Sequence, residues 1–181
     1  YTTKSQEQPG GQGLYMFGPQ HSLGEDLQDN ATPAVANITE VLVADNGTML
    51  FTSMKFDDLS DLSYCGGSSS AYYEWELNYT SGGCDGSEGV LDADYDIYIE
   101  FNETGGVSDI GFYIWNGSDW EYNASAAYYV NCPSNVIELG FNLSNTNFAP
   151  GQTIQTVFIA SNESYGGPPD FAPDVENGEW Y

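Results

Sequence analysis

Hydrophobic and polar residues alternate along this chain in short runs, and no apolar repeat of helical spacing lasts beyond a turn or two. The runs TEVLVA (39–44) and TMLFTSMKF (48–56) flank Asp-Asn-Gly, whose glycine supplies the positive φ of a hairpin turn. In the second run Leu50, Thr52, Met54 and Phe56 share one face, and Met49, Phe51, Ser53 and Lys55 the other. AYYEWELNY (71–79) sets Tyr73, Trp75 and Leu77 against Glu74, Glu76 and Asn78. DIYIEF (96–101) turns Ile97, Ile99 and Phe101 inward, with Tyr98 and Glu100 outward. IGFYIW (110–115) reverses at Asn-Gly-Ser-Asp into WEY (120–122), and NVIELGF (135–141) and TIQTVFIAS (153–161) complete the set.

Short strands at this spacing predict an all-β, antiparallel β-sandwich of jelly-roll-like type. Residues 1–17 read as an extended N-terminal arm in which Leu14, Tyr15, Met16 and Phe17 are the apolar stretch. Residues 18–37 read as a polar loop. The sandwich domain occupies 18–181, with an irregular Pro/Gly-rich tail from about residue 165.

Composition narrows what such a sandwich does. The 181 residues carry 27 Asp plus Glu against two cations, Lys4 and Lys55, for a net charge of −25. Nucleic-acid binding requires Lys and Arg to displace counterions from phosphate, so that class is excluded, and an anionic membrane surface repels the chain. No run reaches the ~18 apolar residues of a membrane span, so membrane insertion is not expected. Aromatics make up 15% of residues, which argues for a packed core over a charged disordered chain.

The sequence also holds nine Asn-X-Ser/Thr triplets, beginning at Asn30, Asn37, Asn46, Asn78, Asn102, Asn116, Asn123, Asn142 and Asn162. With 14 Asn and 28 Ser plus Thr in 181 residues, chance placement gives 14 × 28/181, or about two. None has proline in the middle, so all nine are candidate acceptors of covalent N-linked glycans on an exported chain whose signal peptide has been removed. Export favours a disulfide. Cys65 and Cys84 bracket one aromatic segment through glycine-rich flanks, and a bridge between them closes a loop worth about 3 kcal/mol; Cys132 can replace either partner.

The strand succession resembles the DOMON-like and family-nine-type carbohydrate-binding β-sandwiches. The matching pieces are VLVADNGTMLFTSMKF, DADYDIYIEF, GFYIWNGSDWEY, VIELGFNLS and DFAPDVENGEWY, covering about residues 35–181. The resemblance implies a jelly-roll-like sandwich and, for some members, binding of sugar, calcium or haem. Haem binding in that group uses Met and His axial ligands. The single histidine here, His21, lies outside the resembling region, in the expected polar loop.

Three kinds of chemistry fit the residues. Asp85, Glu88, Asp92, Asp94 and Asp96 form a dense acidic stretch that could supply oxygen ligands to calcium, although the spacing is not that of an EF-hand. Glu74 and Glu76 share a strand face and so permit the paired-carboxylate geometry of a glycosidase, as exposed strand faces commonly do; no nucleophilic triad is available with one histidine. Tyr72, Tyr98, Tyr113 and Trp120 fall on outward positions, suited to stacking on sugar rings or to a subunit interface. The expectation is a non-enzymatic, extracellular, N-glycosylated structural subunit. It would polymerise with copies of itself into a surface filament or layer by strand addition. The alternative is a secreted carbohydrate-binding module stabilised by calcium.

Overall fold

A computed structural model describes residues 7–8, 11–12, 20–25, 33–78, 93–148, 154–164 and 169–172. In chain order the strands are β1 (Glu7–Gln8), β2 (Gly11–Gln12), β3 (Gln20–Glu25), β4 (Ile38–Asp45), β5 (Met49–Phe56), β6 (Ala71–Asn78) and β7 (Tyr95–Phe101). They continue as β8 (Val107–Trp115), β9 (Trp120–Ala124), β10 (Ala127–Asn131), β11 (Val136–Asn142), β12 (Gln155–Asn162) and β13 (Asp170–Ala172). Among the described residues β1 and β2 pair with each other, Glu7 opposite Gln12 and Gln8 opposite Gly11. The rest form a five-stranded sheet, β10-β11-β5-β4-β3, and a six-stranded sheet, β13-β12-β6-β7-β8-β9.

All named strand pairs are antiparallel, and one core cluster draws side chains from both large sheets, so the protein is an all-β sandwich. The face pattern of the sequence holds. Leu50, Met54 and Phe56 of β5, Tyr73, Trp75 and Leu77 of β6, and Ile97, Ile99 and Phe101 of β7 all point into that core. Aromatic rings stitch the two layers. Trp75 lies 5.5 Å from Phe141 of the facing sheet and stacks on Phe158 of its own at 5.6 Å. Phe112 stacks on Phe141 at 4.7 Å, and Phe56 meets Tyr73 edge-on at 4.9 Å. Full burial of such side chains contributes about 1.5–3 kcal/mol each, which makes this cluster the principal stabilising element. A polar tie joins the layers at one flank: the Ile38 amide, at the start of β4, donates to Oδ2 of the buried Asp170 on β13 at 2.6 Å.

The sandwich has two distinct ends. At the first lie the β4–β5 turn, the β8–β9 turn and the end of β11, where Asn142 is registered against Met49 and the Leu143 amide bonds to the Thr48 carbonyl. The Asn147 amide reaches the Tyr95 hydroxyl here, at 2.9 Å, joining this end across both sheets. At the opposite end the chain crosses from β5 to β6 and makes the β7–β8 turn. That crossover contains a 3-10 turn, Ser63–Cys65, and a second follows β10 at Cys132–Ser134. Gly67 sits so close to the Asp61 backbone in the crossover that any Cβ would collide with it.

Cys65 and Cys132 are bonded across this end, with Cα atoms 5.6 Å apart. The Cys65–Cys84 pairing expected from the glycine flanks is therefore replaced. Both bonded cysteines sit in 3-10 turns beside each other at one end, one entering β6 and one leaving β10. Cys84 lies outside the described residues, as do Leu14, Tyr15, Met16, Phe17 and the tail beyond 172. Two further expectations change. Residues 20–25, read as loop, form edge strand β3, so His21 sits on a strand, registered against Val43. Within the tail, Asp170–Ala172 adds to β12 as a strand.

Candidate functional site

Two surfaces carry the residues singled out in the sequence. The first is the outward face of the six-stranded sheet. Register places Val157, Glu76, Asp96 and Tyr113 in one row across β12, β6, β7 and β8. The next row is Ile159, Glu74, Tyr98 and Gly111, and the third is Ser161, Tyr72, Glu100 and Asp109. Glu74, Glu76 and Asp96 are thus immediate neighbours, flanked by a stacked Tyr72–Tyr98 pair at 5.8 Å. Tyr113 bonds Asp109 at 3.0 Å, and its ring lies over Gly111 so closely that a side chain there would displace it.

This face is not a solvated acidic surface. Val157 is fully buried, Ile159 and Glu76 nearly so, and Ala93 joins the two apolar residues in a small outer cluster with Tyr72, Trp120 and Phe171 packed against it. Burial raises the carboxyl of Glu74 to about 7, with the charge of Glu76 adding to the effect. Burial likewise holds Asp96 well above the ordinary carboxylate range, and Glu74 and Glu76 push it further. Its Oδ1 is buried without a hydrogen-bond partner. Burial comes first, too, among the causes that lift the Tyr113 hydroxyl to about 12. Strand alternation alone indicated that these side chains leave the core. It gave no sign that Glu76 is enclosed there and Glu74 partly so.

Of the calcium candidates, Asp85, Glu88 and Asp92 lie outside the described residues. Asp94 precedes β7, where its backbone clips neighbouring strands, its amide to Leu77 and its carbonyl from Trp115. Asp96 lies in the carboxylate row. Among the described residues no three His, Cys, Asp or Glu side chains converge as metal ligands.

The second surface is the set of sequons, which the structure divides. Asn46, Asn116, Asn123 and Asn142 are exposed, and Asn102 is half-buried. Asn37, Asn78 and Asn162 are 1%, 7% and 2% exposed, so these three of the nine expected acceptors are enclosed in the folded chain. The physical reason is position. Asn37 is pinned beneath the β5–β6 crossover, where its carbonyl accepts from the Asp57 amide, while Asn78 ends β6 on the outer face and Asn162 ends β12 on its core-facing side, opposite Ala71. Asn30 lies outside the described residues.

In five sequons the asparagine Oδ1 accepts the amide of the residue two positions on: Thr48, Thr104, Ser118, Ser144 and Ser164. This side-chain turn suits Asn-X-Ser/Thr to the reversals between strands, which is a structural use for the motif beside its chemical one. No protein-family model matches the chain, and comparison with curated proteins gives no significant match.

Proposed function

We propose that this chain is a structural subunit of an extracellular, N-glycosylated surface filament or layer, assembled by addition of a strand from one copy to the sheet of the next. The observation that carries the reading is the placement of exposed sequons relative to the sheet edges. Asn123 stands on edge strand β9, and Asn116 stands in the turn that leads into it. The edge strand of the other sheet on that flank, β10, contains no sequon and pairs only with β11 among the described residues. An edge strand is a template for another chain. The net charge of −25 favours assembly through backbone hydrogen bonds, because two lysines can neutralise few contacts between identical acidic surfaces. An apolar segment such as Leu14–Phe17, lent by a neighbour, suits this edge, and head-to-tail contacts that do not close produce a filament.

Electron microscopy of the purified protein tests the reading. Fibres are expected from the full chain, and folded monomers from a chain lacking residues 1–17. Single particles at every concentration overturn the proposal, and fibres that survive the deletion overturn the role of the arm. A second reading, a sugar-binding module, draws support from the stacked Tyr72–Tyr98 pair beside the carboxylate row. Saturable binding of one saccharide, lost in Tyr98→Ala, would favour it.

A further inference from the structure

The exposed sequons are not scattered. Asn46 occupies the β4–β5 turn, Asn116 the β8–β9 turn, and Asn142 the last position of β11. The strand register puts all three at the same end of the sandwich, opposite the disulfide. Each also holds its amide in one geometry. Asn46 Oδ1 accepts from the Thr48 and Met49 amides at 3.0 and 2.8 Å. Asn116 Oδ1 accepts from Ser118 and Asp119 at 2.9 and 3.0 Å, and Asn142 Oδ1 from Ser144 at 2.9 Å. Because the amide group is planar, fixing Oδ1 against the turn leaves Nδ2 directed away from it.

We propose that the N-glycans form a crown on this one end, carried by Asn46, Asn116 and Asn142, with a further glycan on exposed Asn123 at the β9 edge. Asn37, Asn78, Asn102 and Asn162 stay bare. The inference rests on the glycoprotein reading above and specifies which residues carry it. In the transfer, Nδ2 bonds to the anomeric carbon of a glycan carried on a lipid phosphate or diphosphate. The carbon–oxygen bond to phosphate breaks, the lipid phosphate leaves with the electron pair, and one Nδ2 proton is released. The product amide keeps one N–H, so Asn116 Nδ2, which donates to Glu121 Oε1 before modification, remains a donor afterwards.

Asn162 separates geometry from access. It makes the same turn, with Oδ1 accepting from Ser164 at 3.0 Å, yet it is 2% exposed and leaves no room for a sugar. Asn102, in the β7–β8 turn at the disulfide end, is half-buried, and its Oδ1 is held by three donors as that of Asn116 is, so the surroundings of its Nδ2 set it apart. Its Oδ1 takes donors from Thr104 N, Thr104 Oγ1 and Gly106 N. Its Nδ2 lies over Gly106, within 3.2 Å of where a Cβ would stand.

Glycopeptide mass spectrometry of the protein from its native source tests the assignment. With two lysines and no arginine, cleavage must be at aromatic and acidic residues. High occupancy is expected at Asn46, Asn116, Asn123 and Asn142, and at least tenfold lower occupancy at Asn37, Asn78, Asn102 and Asn162. Comparable occupancy in the two groups, or glycans mainly in the second, overturns the crown and leaves the glycoprotein reading standing. Unmodified peptides throughout overturn both.

Discussion

Burial takes Glu74 out of the range its residue type suggests. A glutamate ordinarily titrates near 4.5, and burial beside Glu76 lifts it to about 7. The folded state therefore binds this proton more tightly than the unfolded chain. The stability it contributes is fully present below about pH 4.5 and is lost as pH rises through about 7, with Asp96 shifting in the same direction. Glu74→Gln keeps the shape and removes the charge. At pH 8 the variant should melt a few degrees higher, from a gain on the order of 1–2 kcal/mol after solvent screening, and at pH 5 it should match the parent. Thermal melts at the two pH values decide this; an equal shift at both would sink it. Strand alternation in AYYEWELNY correctly placed Trp75 inside and Glu74 outside. It could not reveal that Glu76 is 5% exposed, because burial on an outer face depends on chain segments remote in sequence. The same limit hid the enclosure of Asn37, Asn78 and Asn162.

Among elements, the strands with the strongest alternation were legible to within two or three residues at their ends: β4 through β8, β11 and β12. Those missed are edge strands. β3 (QHSLGE) and β13 (DFA) are short or polar and acquire strand conformation from the neighbour they pair with, as does β10. The disulfide failed for a related reason. Glycine-flanked Cys65 and Cys84 satisfy a local rule, whereas proximity of Cys65 to Cys132 follows from the β5–β6 crossover meeting the β10–β11 hairpin turn at one end. Their separation of 67 residues closes a long loop, worth about 4 kcal/mol by chain entropy. Cys132→Ser should lower the free energy of unfolding by roughly that amount in denaturant titration of the oxidised protein. Cys84→Ser should leave it nearly unchanged. A large loss in Cys84→Ser with none in Cys132→Ser would reject the Cys65–Cys132 link.

For the whole molecule, the two ends and the two edge strands β9 and β10 divide the labour. Exposed sequons gather at one end and along β9, while the disulfide end buries Asn37 and Asn162 beneath the chain that crosses between layers. In the proposed polymer, edge strand β10, which carries no sequon, is where subunits meet. The bond between Cys65 and Cys132 then has a mechanical meaning. Cys132 follows directly on β10, and Cys65 sits in the crossover that runs from one sheet to the other. Tension applied to β10 is thereby shunted through a covalent strut into both layers instead of unzipping β10 from β11 one hydrogen bond at a time. In single-molecule stretching along that strand, the reduced protein should yield at a lower force than the oxidised one.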